Sequence, residues 1–258
     1  MEFLKALHNI NLLQYQFGKS TLEVRENDFT EIKWAREHKV KWDGSLCAYA
    51  AMGGHLDIIQ WARTIGCQWD RWTCVSAAAK NYVHIIEFAT SNGCDCDADI
   101  LPSAALYGSL DVLEWAKYTR YWRDEQDEEL CYYAAYGGHL EVLKWLKAYN
   151  CRWDQRSITN AAKQGHLEVV QWLRANGCQW GGNTLVDTIL MDKYEVAKWL
   201  LENGCPWPES KKTRGRPPKN SETTPFNMVH SLKMLKLIKD NNGPWNSELQ
   251  KRLESLEQ

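Results

Sequence analysis

Ala161-Ala162-Lys163-Gln164-Gly165-His166-Leu167-Glu168-Val169-Val170-Gln171-Trp172-Leu173, closed by Asn176-Gly177-Cys178, is the stretch on which the fold turns. An alanine pair lets a short helix sit close to its neighbours, and Gly165-His166 breaks the chain into a turn. From Leu167 onward apolar residues recur at three- and four-residue steps, which puts one stripe on one face of a second helix. Gly177 is free to take the left-handed conformation that ends such a helix. The same grammar recurs outward in both directions. Alanine pairs stand at Ala50-Ala51, Ala77-Ala78, Ala104-Ala105 and Ala134-Ala135. Turns follow at Gly54-His55, Gly108-Ser109 and Gly138-His139, and closings at Gly66-Cys67, Gly93-Cys94 and Gly204-Cys205. Asp43, Asp70 and Asp154 open units, each suited to accept from the free N–H groups of a helix start.

The 14 tryptophans obey the same period. Trp34, Trp61, Trp115, Trp145, Trp172 and Trp199, with Phe88 in the gap, are separated by steps of 27 residues and one of 30. Trp42, Trp69, Trp122, Trp153, Trp180, Trp207 and Trp245 form a second series, with Cys96 at its missing place, and Trp72 alone is out of register. A unit this short cannot bury its apolar stripe by itself, so the units must stack, and stability becomes roughly a sum of nearest-neighbour terms.

The repeated core of two alanines, Gly-His, an aliphatic second helix and Asn-Gly-Cys resembles the ankyrin-repeat family over roughly residues 28–207. The resemblance implies an all-α, ankyrin-type helical-repeat solenoid of stacked helix-turn-helix units. Residues 1–27 are expected to cap it, 208–224 to interrupt it as a basic loop, and 225–258 to supply a degenerate last repeat and a capping helix. The units run about six residues short of the usual ~33, and the missing residues are those of the β-hairpin finger. With tryptophan in place of leucine in the second helix, they look like the repeats of large amoeba-infecting DNA viruses and some protists. The family implies a non-enzymatic scaffold that mediates protein–protein interaction. Without fingers, binding shifts to the first helices, at the positions after each alanine pair: Met52, Lys80, Leu106, Tyr107, Tyr136, Lys163 and Gln164.

Composition agrees with a folded chain that needs no membrane and no cofactor. Hydrophobic residues are 44%, charged residues 25% and the net charge is −2, so the chain as a whole is no polybasic coat. No apolar stretch approaches the ~18–20 residues of a membrane span. The start, Met1-Glu2-Phe3-Leu4, with its early acid, does not read as a secretory signal. No Gly-rich phosphate loop, nucleophile elbow or His-Glu-x-x-His helix is present, so neither an enzyme nor a small-molecule substrate is expected. His55, His139 and His166 share one turn position with no nucleophile in register and read as backbone hydrogen-bonders between units. The run Asp124–Glu129 reads as a solvated inter-unit loop, or as a dock for a basic partner. Cys67, Cys94, Cys151, Cys178 and Cys205 share one repeat position and are expected in a column one repeat apart, as buried hydrophobes without metal. Cys94-Asp95-Cys96 with His84 is the one local cluster. Nine scattered cysteines favour a reducing compartment.

One segment departs from the grammar. Pro208–Thr224 carries five bases against two acids, which leaves the remainder of the chain near −5. Its Arg214-Gly215-Arg216-Pro217 resembles the AT-hook of chromatin-associated proteins, flanked by Lys211, Lys212 and Lys219. The narrow minor groove of A·T tracts attracts inserted arginine, while lysines outside the core would meet phosphates. A DNA hook for A·T-rich duplex, a nuclear-import signal and a plain basic linker all fit these charges. The compartment expected is intracellular, nucleus ahead of cytoplasm. Two outcomes are expected from the sequence: a far-UV circular dichroism spectrum dominated by helix, and a melting temperature indifferent to reductant and chelator.

Overall fold

The computed structural model describes residues 45–96, 99–122, 127–208 and 225–257. Six helix pairs follow one another: α1 (Ser45–Gly53) with α2 (Leu56–Thr64), α3 (Arg71–Ala79) with α4 (Val83–Ser91), α5 (Ile100–Tyr107) with α6 (Leu110–Lys117), α7 (Asp127–Gly137) with α8 (Leu140–Ala148), α9 (Gln155–Gln164) with α10 (Leu167–Ala175), and α11 (Thr184–Leu190) with α12 (Tyr194–Glu202). A 3-10 turn (Pro225–Met228), α13 (Leu232–Asp240) and α14 (Ser247–Glu257) complete the described chain. No strand is present among the described residues. The fold is a helical-repeat solenoid, and the short units lack the fingers as expected.

The two rows of helices pack differently because their residues differ in size. The first helices α1, α3, α5, α7 and α9 carry the alanine pairs, all buried, and each packs closely on the next first helix; the second helices touch one another more sparingly. Tryptophan fills the wider side. The ring of one unit's closing tryptophan meets the second-helix ring of the next edge-on: Trp122 and Trp145 at 5.7 Å, Trp153 and Trp172 at 5.5 Å, Trp180 and Trp199 at 6.2 Å. Where the second-helix tryptophan is Phe88, Trp69 makes the same edge contact at 6.0 Å. Trp207 makes it with Phe226 at 5.8 Å and donates from Nε1 to the Asn241 carbonyl at 3.1 Å. Such ring pairs contribute about 0.5–1.5 kcal/mol each beyond area burial. The 3-10 turn packs on α11 where a first helix would, and α13 packs on α12.

Unit boundaries follow local chemistry. Asp70 accepts from the Trp72 N–H and Asp154 from the Arg156 N–H, capping α3 and α9; Asp43 lies outside the described residues. Arg63 and Arg174 brace the closing turns, each guanidinium lying over its unit's tryptophan at 4.3 and 4.4 Å and donating to the Cys67 and Cys178 carbonyls. The run of acids at 124–129 is not all loop: α7 begins at Asp127, and Glu128 faces Arg156 at 3.8 Å. A carboxylate in a first turn is favoured by the helix dipole.

The joint between units is set by the Gly-His turn. His166 Nε2 donates to the Tyr136 carbonyl at 3.0 Å, and His139 Nε2 to the Leu106 carbonyl at 2.9 Å. A carbonyl only accepts, so each imidazole carries its hydrogen on Nε2. The imidazole lies over the glycine of the preceding turn, where a Cβ added at Gly138 would stand 2.5 Å from His166 Nδ1. Tyr82 takes the same place over Gly54. Gly138 therefore serves twice, for its left-handed backbone (φ +80) and for the space above it. Gly177 has a similar φ of +84 with open space around it.

Two outcomes follow. Both Gly138→Ala and Gly177→Ala carry the left-handed penalty of about 1–2 kcal/mol, but Gly138→Ala must also displace His166 and lose its hydrogen bond, so it costs about 1 kcal/mol more in a denaturant titration. Burial holds the His139 pKa below its ordinary 6.5, with a smaller contribution from His166 and an opposing one from the Leu106 hydrogen bond. The unfolded chain then takes the proton first, so the contribution of His139 is complete above about pH 6.5 and is lost as pH falls below it. His139→Gln should flatten that part of the stability–pH curve.

Candidate functional site

The residues expected to bind a partner stand on the surface where the small first helices end. Met52 closes α1 at 43% exposure, Tyr107 closes α5 at 59% and Tyr136 stands near the end of α7 at 39%. Lys80 is exposed beside them. Leu106 is half-buried, with its carbonyl held by His139. Lys163 and Gln164 are half-buried, and Lys163 Nζ reaches Asp187 at 3.9 Å. The structure thus places the expected residues at two adjacent repeat positions in successive units, with the tyrosine rings exposed. Their packing is left to the imidazoles of the following unit, which hold the backbone at Leu106 and Tyr136.

Four further side chains belong to this surface. Leu190 and Met191 occupy the equivalent place in the α11 unit and are 37% and 50% exposed. That unit has Thr188-Ile189 in place of the alanine pair, so a search keyed to alanine passes over it, although the period of 27 residues from Lys163 and Gln164 leads there. Trp72 is 52% exposed and Tyr49 45%. They line a groove between α1 and α3 with Met52, Asp70 and Ser76. Arg71 lies over the Trp72 ring at 5.3 Å and pairs with Asp99 at 3.3 Å. Trp72 is the tryptophan that breaks the repeat spacing, and that break was its signal: the other tryptophans among the described residues are packed into the array, this one faces water. Large apolar side chains exposed side by side are unusual on a chain that has no partner.

The cysteines divide in two. Cys178 stands where the repeat puts it, buried, with Sγ donating to the Asp154 carbonyl at 3.3 Å. Burial pushes its thiol, and those of Cys94 and Cys205, up to about 11, and that of Cys47 up to about 12, so all four are protonated at neutral pH and poor nucleophiles. The expectation that the cysteines serve only as separate buried hydrophobes is corrected near α3. There Cys74 and Cys96 are joined in a disulfide, and the sulfurs of Cys74, Cys94 and Cys96 all lie within 4.8 Å of one another. Cys74 and Cys94 are 20 residues apart, as are Cys47 and Cys67, which are hydrogen-bonded to each other, and Cys131 and Cys151. The local Cys94-Asp95-Cys96 supplies two of the three sulfurs, and the first helix brings Cys74 to them. His84 takes no part; it is exposed, with its ring edge-on to Tyr82.

Lys211, Lys212, Arg214, Gly215, Arg216, Pro217 and Lys219 lie outside the described residues. No helix among the described residues is long and apolar enough to cross a membrane.

Comparison with known proteins bears on this surface. Residues 130–210 match a family model of ankyrin repeats (3 copies), and residues 101–146 a second one, ankyrin repeats (many copies). Together the two matches span residues 101–210. Tyr107, Tyr136, Lys163, Gln164, Leu190 and Met191 all fall within them. No curated protein sequence matches the chain significantly. Among solved structures the chain is similar to the crystal structure of the human ASB11 ankyrin repeat domain, at 16% identity and a TM-score of 0.48, covering 80% of this chain and 96% of that one.

The disulfide reverses one expectation drawn from sequence. It joins residues 22 apart, and a cross-link of roughly that span stabilises by about 3 kcal/mol in the chain-entropy picture. Reductant should therefore lower the melting temperature of the oxidised chain, and Cys74→Leu should remove that sensitivity.

Proposed function

We propose that the chain is a non-enzymatic, ankyrin-type scaffold that binds a protein partner along the ends of its first helices. The observation that carries this reading is the row of exposed apolar side chains at two adjacent repeat positions, Met52, Tyr107, Tyr136, Leu190 and Met191, continued by Tyr49 and Trp72. Tyrosine and tryptophan bring large contact area at low conformational cost, and both are enriched among interface hot spots. A rigid stack sets the spacing of these rings before a partner arrives, which lowers the ordering cost of binding. The test is capture of partners by the full chain and by Tyr107→Ala/Tyr136→Ala/Met191→Ala. The triple variant should keep its helical spectrum and lose captured protein. Lys144→Ala, on the second-helix row, should capture like the parent. Equal capture by all three chains would overturn the surface.

A second reading rests on Arg214-Gly215-Arg216-Pro217 and its lysine flanks. In this reading the chain is a DNA-tethered adaptor, the array holding a protein while the loop contacts the A·T minor groove. Linking two modest interactions raises the effective concentration of the second. An A·T-rich duplex should then bind better than a G·C-rich one of equal length, since the guanine amino group obstructs the groove floor. Arg216→Ala should remove most of that preference. Lys219→Ala should weaken both duplexes alike and lower the salt slope by roughly 0.9 per lost phosphate contact. Equal binding to both duplexes, unchanged by Arg216→Ala, would reduce the loop to an import signal or a linker.

A further inference from the structure

The three-sulfur cluster arises where one departure from the repeat meets a cysteine pair that the repeat supplies. Cys94 is the ordinary closing cysteine: its Sγ donates to the Asp70 carbonyl at 3.2 Å, as Cys178 does to Asp154. Cys74 occupies the first-helix core position that is Cys47 and Cys131 in two other units and Leu101, Ile158 and Leu185 in the rest. Cys96 occupies the position of the closing tryptophans Trp69, Trp122, Trp153, Trp180 and Trp207. In this unit an aromatic step is replaced by a thiol-bearing residue, and the replacement meets the Cys74–Cys94 pair. The three residues are 0%, 5% and 2% exposed. Packing alone gives no reason for Cys96, since tryptophan fills its place elsewhere.

We propose that Cys74, Cys94 and Cys96 form a redox-gated, three-thiolate site for a soft monovalent cation, Cu(I). In the oxidised chain two of the sulfurs are bonded to each other and the site is closed. An external dithiol opens it: two electrons and two protons convert the Cys74–Cys96 bond into two thiols, and the reductant leaves as its own disulfide. Cu(I) then displaces thiol protons to solvent as its bonds to sulfur form. Sulfur–metal bonds of about 2.3 Å place three ligand sulfurs roughly 4 Å apart, within the 4.8 Å envelope of this cluster. Among the described residues no histidine or carboxylate joins the three, so the donor set is all sulfur and three-coordinate. That favours Cu(I) over zinc, which closes its structural sites with four ligands.

The experiment uses the full chain, reduced under anaerobic conditions, freed of reductant and titrated with Cu(I) against bicinchoninate. The parent should withhold one more equivalent from the chelator than Cys74→Leu, which places there the residue of the Leu101 and Leu185 units and so preserves the fold. Cys94→Ser and Cys96→Ser should lose the same equivalent. Cys205→Ser, outside the cluster, should keep it. The oxidised parent should lack it, and Cu(I) should raise the melting temperature of the reduced parent but not of Cys74→Leu. Equal stoichiometry in the parent and Cys74→Leu would overturn the site. So would a reduced parent that binds Zn(II) in preference to Cu(I), or one whose stability returns only on re-forming the disulfide.

Discussion

The joint between successive units governs the rest of the molecule. A turn glycine in the left-handed region leaves a space above it, the next unit's imidazole fills that space, and its Nε2 hydrogen goes to a carbonyl at the end of the previous first helix. One contact thus fixes both the separation and the rotation between units. At His139 burial favours the neutral ring, against the hydrogen bond to the Leu106 carbonyl. Replacements obey the same geometry. Tyr82 covers Gly54, and Asn81, itself at φ +62, reaches from its turn to accept from the Val112 N–H at the start of α6.

On that joint the asymmetry of the array depends. Alanine pairs keep the first helices close, and edge-on aromatic pairs hold the second-helix side open. Arginines in the last turn of two second helices add a third element, stacking on the closing tryptophan while tying down the carbonyl beside it. Each boundary therefore combines a close backbone approach on one side with ring contacts on the other. Neither is strong alone, and stability accumulates by adding units.

Function follows from what this division leaves over. With backbone groups at Leu106 and Tyr136 engaged by histidine, the side chains beside them are not needed for packing and turn to solvent. The same logic marks Trp72, which no neighbouring unit requires. At the opposite extreme, the α3 unit gives up a closing tryptophan, and Cys96 in its place meets the Cys74–Cys94 pair. Departures from the repeat, more than the repeat itself, are where chemistry concentrates in this chain.

The sequence by itself determined the period, the helix pairs, the capping aspartates and the left-handed closing glycines, because each rests on contacts within a few residues and is written again in every unit. It also reached much of the exposed row at the ends of the first helices, since position within a repeat converts directly into position along the stack. Only the tertiary structure decided which side chains face water. Tyr107 and Tyr136 are equally compatible with packing and with exposure until the imidazole of the next unit is seen to take the packing role. Leu190 and Met191 lacked the alanine marker and emerged through register alone. The meeting of Cys74 with Cys94 and Cys96 depended on how closely a first helix approaches a closing turn, a distance that spacing along the chain does not contain.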